Sequence, residues 1–268
     1  MRYLSICAIA KNEDPYLLEW CAFHRVCGVQ HIYIFDNESD TSIRTILAKY
    51  IDEGFVSVYD APGRGIQMEV YANATKQFGK ETHFMGFIDV DEYLVCKKSN
   101  DIKKVLQRFD QPGIGSFQVS WRLFGSNGHI TKPEGLTIEN FTAASPISWS
   151  ENLHTKSICI PDRCLGTPAG DPHHMNIKRM FVSVSENMKP MHGPFAPEFC
   201  ANEIQLNHYV VRSREEFENK IKKGRIDTEK WPGKTMEDFT RFDEPSTEID
   251  NSALRFVPMV KAELARIA

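Results

Sequence analysis

The sequence predicts an α/β fold with a mostly parallel central sheet and helices on both faces. Three observations carry this. Over the first third of the chain, apolar runs of strand length alternate with segments of helical spacing, the pattern of successive β-α-β units. The 268 residues are 41% hydrophobic and 25% charged, the size and balance of one large globular domain with a sizeable core. No repeat, low-complexity tract or clean linker interrupts them, so residues 1–268 read as one domain, regular over 1–95 and irregular over 96–268.

Residues 4–10 form the first apolar run, a core strand. Residues 16–26 then place Leu17, Leu18, Cys21, Ala22 and Val26 at helical spacing, with Asp14 as the expected N-cap, Pro15 suited to the first helical position and Gly28 as the stop. Residues 31–35 (HIYIF) are a second strand, ended by the polar run 36–40. A helix over 41–51 leads to a third strand at 55–59, and a helix over 66–78 leads to a fourth at 83–88. In the second half, strands are expected at 114–123, 155–160 and 204–211, with a stretch rich in Gly, Pro, Ser and Asn reaching to about residue 197. A charged helix over 214–223 stops at Gly224, and residues 251–267 close the chain as a helix.

Lys+Arg 32 against Asp+Glu 36 gives a net charge of −4, so a wholesale basic surface for nucleic acid or anionic lipid is not expected. No run approaches the ~18 apolar residues of a membrane helix. Peripheral contact through the last helix or the basic stretch near residue 220 is left open. The opening residues pass straight into Lys11-Asn12-Glu13-Asp14, unlike a signal peptide, and the seven cysteines are scattered with no CxxC pair. Together these give the expectation of a cytoplasmic protein with reduced, buried thiols.

The sharpest chemical signal is FMGFIDVDE, residues 84–92. With 36 acids in the chain, about five acid-x-acid triplets arise by chance, so the bare pattern decides nothing. Here it caps an apolar strand, and period two is expected to point Asp89 and Asp91 to one side. Ligands of parallel sheets bind beyond the carboxyl ends of the strands. Two carboxylates there suit Mn²⁺ or Mg²⁺, hard cations that complete their shell with water and phosphate. Lys11 and Asn12 follow the first strand, Asp36 the second, and Arg64 and Gln67 the third. These side chains, with Asp89, are the candidate contacts for a nucleotide: polar groups for base and ribose, Lys11 or Arg64 for phosphate. Gly63-Arg64-Gly65 lacks the spacing of a dinucleotide fingerprint, and no Walker A sequence is present. The His173-His174 pair, near Cys159 and Cys164, lacks zinc-site spacing.

Four segments in order, AIAKNEDPYLLEWCAFHRVCGVQHIYIFDNESD, GFIDVDEYLV, WRLFGSNGH and NHYVVRSREEFENKIKKG, resemble glycosyltransferase family 92 and related family-2-like glycosyltransferases. They span residues from about 5 to 224. The resemblance implies a GT-A fold, a nucleotide-sugar donor that is often UDP-galactose, a divalent metal, a glycan acceptor and inversion at the anomeric carbon. It also gives His208 a role: late histidines in such enzymes complete the metal shell of the acid pair, and imidazole favours Mn²⁺ over Mg²⁺. The metal set is then Asp89, Asp91 and His208. On this reading residues 1–95 bind the nucleotide sugar and 96–268 the acceptor. Trp121, Phe124 and Gly125 are expected to line the sugar cleft, and Arg212 to steady the diphosphate, while the lysines after it read as a solvated helix face.

The implied reaction transfers a sugar to a hydroxyl, so a base must take the hydroxyl proton. Asp171 is the choice, lying between the acid pair and His208 in the irregular half, with Glu203 and His129 as alternatives. Two other readings stay open: a nucleotidyltransferase acting on sugar phosphates, and a non-catalytic carbohydrate-binding protein on the same fold.

Overall fold

The computed structural model describes residues 1–168, 171–223 and 233–268. Its first half runs β1 (Arg2–Ala10), α1 (Asp14–Val26), β2 (His31–Asp36), α2 (Ile43–Ile46), α3 (Ala48–Asp52), β3 (Val56–Asp60), α4 (Gln67–Phe78) and β4 (Thr82–Phe87). The four strands lie in the order β3-β2-β1-β4, all parallel. Alternate residues of β1 enter opposite cores. Leu4, Ile6 and Ala8 pack with Leu17, Trp20 and Cys21 of α1, whereas Cys7 and Ile9 pack with Val70, Tyr71 and Ala74 of α4. A strand covered on both faces must be apolar throughout, which is why this run shows no alternation.

The second half adds β5 (Glu92–Cys96), α5 (Ile102–Leu106), β6 (Ile114–Leu123), α6 (Thr137–Asn140), β7 (Ala143–Ala144), β8 (Thr155–Cys159), β9 (Cys164–Gly166), β10 (Asn176–Ile177), β11 (Val182–Val184), β12 (Pro190–Met191), β13 (Ile204–His208), α7 (Arg214–Lys223), α8 (Met236–Asp243), β14 (Glu248–Ile249) and α9 (Val257–Ile267). Among the described residues, β8 lies antiparallel between β4 and β6, and β11 and β12 extend the sheet beyond β6. The carboxyl end of β6 leaves β8 and takes β13 as a parallel neighbour, while β5 pairs antiparallel with the other side of β13. That fork sets Asp91, the residue before β5, against His208, at the end of β13.

The expected α/β class and mostly parallel sheet are present, with several local corrections. Helix α1 starts at Asp14, so Glu13 rather than Asp14 holds the cap position, and no side chain caps the helix. The helix expected over 41–51 breaks at Leu47 into α2 and α3. The strand expected over 204–211 ends at His208, and β5 and α5 had no counterpart in the sequence reading. Gly28 does end α1: its φ is +92°, and a Cβ there would meet Oδ1 of Asp101, the cap of α5, at 2.4 Å. The expected stop at Gly224 lies outside the described residues. All seven cysteines are free thiols, and all but Cys200 are buried. Among the described residues no helix is long and apolar enough to cross a membrane.

Candidate active site

The acid pair does not continue β4. The strand ends at Phe87, and residues 88–91 form a turn closed by Glu92 N–H donating to the Asp89 carbonyl at 3.0 Å. The turn gives the two aspartates different surroundings instead of one shared side. Asp89 Oδ1 accepts from Gln67 Nε2 at 2.9 Å and from Tyr71 OH at 3.4 Å, and its Oδ2 takes Lys156 Nζ at 2.7 Å. Lys156 is almost wholly buried and also stands 3.4 Å from Glu92 Oε2, which in turn accepts the Asp89 backbone N–H at 2.8 Å. Burial works against the charge of Lys156, but Asp89 and Glu92 outweigh it and raise the lysine above its ordinary value. Burial, opposed by Lys156 and helped by the charges of Asp89 and Asp91, drives Glu92 up to about 8. Under the turn at pH 7, Lys156 is therefore charged and paired with the ionised Asp89, while Glu92 holds its proton.

Asp91 faces the other way. His208 Nε2 stands 3.6 Å from its Oδ1, and Lys220 of α7 forms an ion pair with its Oδ2. Burial opposes ionisation of Asp91, yet Lys220 and then His208 hold its carboxyl well below the usual range. Burial also lowers His208 to about 4, so its imidazole is neutral at pH 7.

These groups open on a cleft of about 230 Å³ at the carboxyl ends of the strands. Its walls include Lys11, Gln67, Asp89, Asp91 and His208 of the expected set, with Trp121. Pro172, His173, Lys220, Lys223 and Lys234 also line it. Burial, reinforced by the charge of Lys156, lowers His173 to about 3 and keeps it neutral.

Other expected residues stand elsewhere. Asn12 exchanges hydrogen bonds with Asp40 at 2.9 and 2.8 Å, Asp36 Oδ1 accepts the Ser39 N–H at 2.9 Å, and both brace loops beside the cleft. Arg64 is exposed and is not part of the cleft wall. Phe124 is fully buried against Tyr209, and a Cβ on Gly125 would meet Ser246 and Asp243, so neither lines the sugar cleft. The Arg212 guanidinium is committed to Glu13 at 3.1 Å and to the face of Tyr16. Asp171 lies one residue outside the cleft wall; it accepts the His173 N–H at 2.8 Å and faces His174 Nδ1 at 3.1 Å. Burial opposes its charge, but these two partners hold it below the ordinary carboxylate value.

Sequence reasoning missed Lys156, Lys220 and Lys223. The signal for Lys156 was a lysine inside the apolar strand TKSIC. For α7 it was spacing: Lys220 lies three residues after the buried Phe217 and so shares its inward face. Lys223, one turn further, pairs with Glu13 in the cleft.

A divalent cation fits this site through two protein ligands. Among the described residues no three His, Cys, Asp or Glu side chains gather as a ready-made metal site. Asp89 is occupied by Lys156, but Asp91 is ionised, His208 is neutral, and an ammonium already sits on Asp91 as a stand-in cation. One carboxylate and one imidazole, with water and phosphate completing the shell, suit Mn²⁺.

The acids and lysines gather at the carboxyl ends of a mostly parallel sheet, where α/β domains bind their ligands. The chain belongs to glycosyltransferase family 92, whose sequence model matches residues 2–195. It is 26% identical over 231 residues to a family 92 protein of Oryza sativa subsp. japonica, covering 84% of this chain and 36% of that protein. A family 92 protein of Ricinus communis is 24% identical over 222 residues, covering 81% and 37%. The chain thus spans little more than a third of the length of these curated relatives. Among solved structures it is similar to S. aureus TarS 1–349, at 16% identity and a TM-score of 0.40, over 59% of this chain and 47% of that one.

Proposed function

We propose that this chain transfers a hexose, galactose by the family resemblance, from a UDP-sugar to a hydroxyl of a glycan acceptor, with inversion and with Mn²⁺ as cofactor. The observation that carries the reading is the Asp91–His208 approach of 3.6 Å at the mouth of a lysine-lined cleft in a family 92 domain. Residues 1–95 supply the nucleotide-sugar half of one domain and residues 96–268 the acceptor half.

Asp91 and His208 would hold the cation, whose chemistry there is Lewis-acid relief of charge on the departing diphosphate. Lys11, Lys220 and Lys223 add positive charge beside the same diphosphate. Asp89, fixed by Gln67, Tyr71 and Lys156, keeps a partly exposed edge for ribose or sugar hydroxyls instead of serving as a full metal ligand. Asn12 and Asp36 position the loops behind it. Asp171, ionised and next to the His173 wall, takes the acceptor proton as the new bond forms.

Thermal unfolding with UDP, UDP-galactose and other nucleotide sugars, each with and without MnCl₂, tests the proposal. A rise in Tm with UDP that requires Mn²⁺, together with release of UDP from UDP-galactose, is expected. Release of pyrophosphate from UTP and galactose 1-phosphate would instead identify a nucleotidyltransferase, and no nucleotide response at all would leave only a binding fold.

A further inference from the structure

Four rings lead from His208 to the protein surface. His208, Trp121, His154 and Phe195 come from laterally adjacent chain segments: β13 pairs with β6, Trp121 N–H donates to the His154 carbonyl at 2.9 Å, and His154 bridges to Phe195. Their ring centres step by 4.3, 4.9 and 4.5 Å, the lateral spacing of a sheet. His173 flanks the row, 5.0 Å from Trp121 and 5.5 Å from His154.

Phe195 is 57% exposed although its backbone is fixed on both sides. The Pro194 carbonyl accepts from Thr155 N–H at 2.9 Å, and Ala196 N–H donates to the Leu153 carbonyl at 2.7 Å. A large apolar ring held rigidly in water recovers its burial free energy only when something covers it. On the same row, Trp121 Nε1 and His173 Nδ1 are buried without a hydrogen-bond partner, in contrast to the usual fate of such groups. A ligand that fits must offer a flat apolar face and hydroxyls at its edge, which is the chemistry of a pyranose ring.

We infer that this row is the acceptor subsite: a pyranose unit of the glycan stacks on the exposed ring of Phe195, and the reacting hydroxyl passes His154 and Trp121 to reach the donor. The inference rests on the transferase reading above and adds where, and by what contacts, the acceptor is held. The row is continuous with the cleft, since Trp121, His173 and His208 belong to both.

The test titrates cellotriose, β-1,4-galactotriose and chitotriose into the Mn²⁺–UDP-loaded protein, following tryptophan fluorescence, for the wild type, Phe195→Ala and Phe195→Trp. At least one trisaccharide should bind the wild type, Phe195→Ala should weaken it about tenfold, and Phe195→Trp should restore it. UDP affinity should agree within twofold among the three proteins. Failure of every trisaccharide to bind the wild type, equal binding by Phe195→Ala, or a loss of UDP affinity in Phe195→Ala would each overturn the inference. A wild type that takes a trisaccharide through Phe195 but never UDP would sustain the carbohydrate site and remove the donor reading.

Discussion

Lys220 and His208 divide the carboxylate of Asp91 between them, the ammonium on Oδ2 and the imidazole 3.6 Å from Oδ1. Lys220 therefore balances a buried charge that a divalent cation would otherwise balance. Lys220→Met should cost about 2 kcal/mol, or roughly 5 °C in Tm, in metal-free buffer, because it leaves Asp91 without its counter-charge. MnCl₂ alone should return most of that loss in the variant while shifting the wild type little. Calorimetry with and without the ion reads both effects, and a full Mn²⁺ response in Asp91→Asn would remove Asp91 as a ligand.

Lys156 serves the opposite aspartate from below. It is buried to 1% side-chain exposure between Asp89 and Glu92, and neither acid has another cation within the salt-bridge distances found among the described residues. Lys156→Met would strand that charge in the interior, a change that costs about 3–5 kcal/mol in comparable buried pairs. Urea unfolding should show a lower midpoint of that size. A variant within about 1 kcal/mol of the wild type would mean that Asp89 takes up a proton or is hydrated from the cleft and absorbs the loss.

The regular half was legible because each strand is buried on both faces and each crossover helix returns the chain by one β-α unit. Run length, glycine and proline positions alone placed β1 to β4 within a residue or two. Less readable was β5, since EYLVC follows the acid pair after a turn that only its pairing with β13 fixes. The same holds for the site. Asp89, Asp91, His208, Lys11 and Gln67 are near strand ends, and topology brings such positions together without help from side chains. Asn12, Asp36 and Arg64 obey the same rule and still miss the cleft wall, because local bonds to Asp40 and Ser39 decide where the first two point. Lys220 and Lys223 looked like a solvated face because a charged helix carries no mark of what stands opposite it. Their partners, Asp91 and Glu13, are more than a hundred residues away in sequence.

Asp171→Asn separates proton transfer from donor binding. The amide keeps the shape of the side chain and can still accept the His173 N–H. Mn²⁺-dependent UDP affinity should stay within a factor of about two, while sugar transfer falls by at least about a hundredfold, the scale of a lost general base. Single-turnover transfer at saturating UDP-galactose gives the rate directly. An undiminished rate would remove Asp171 as the base, and neither alternative replaces it from the cleft wall: Glu203 is paired with Arg108 at 2.8 Å at the far end of β13, and His129 packs on Phe141.

His24 predicts how the whole fold responds to acid. Its ring is fully buried, with Nδ1–H donating to the Trp20 carbonyl at 2.9 Å and Nε2 accepting the Leu94 N–H at 3.3 Å. Both nitrogens are used in the neutral form, and a proton on Nε2 would face another N–H. Burial, partly opposed by the bond to Trp20, lowers this histidine from 6.5 to about 3. The folded value is below the unfolded one, so the unfolded chain takes up a proton first as pH falls. Stability contributed by the neutral ring is complete above pH 6.5 and is lost towards pH 3, at about 1.4 kcal/mol per pH unit. Between pH 7 and pH 5 this amounts to about 2 kcal/mol. His24→Gln retains a donor and an acceptor but does not titrate, so its loss over that interval should be smaller by the same amount. Every other ionisable group is common to the two proteins and cancels in the comparison. Urea denaturation at pH 7 and pH 5 measures the difference, and an equal loss in both proteins would mean that the buried ring takes up its proton without cost.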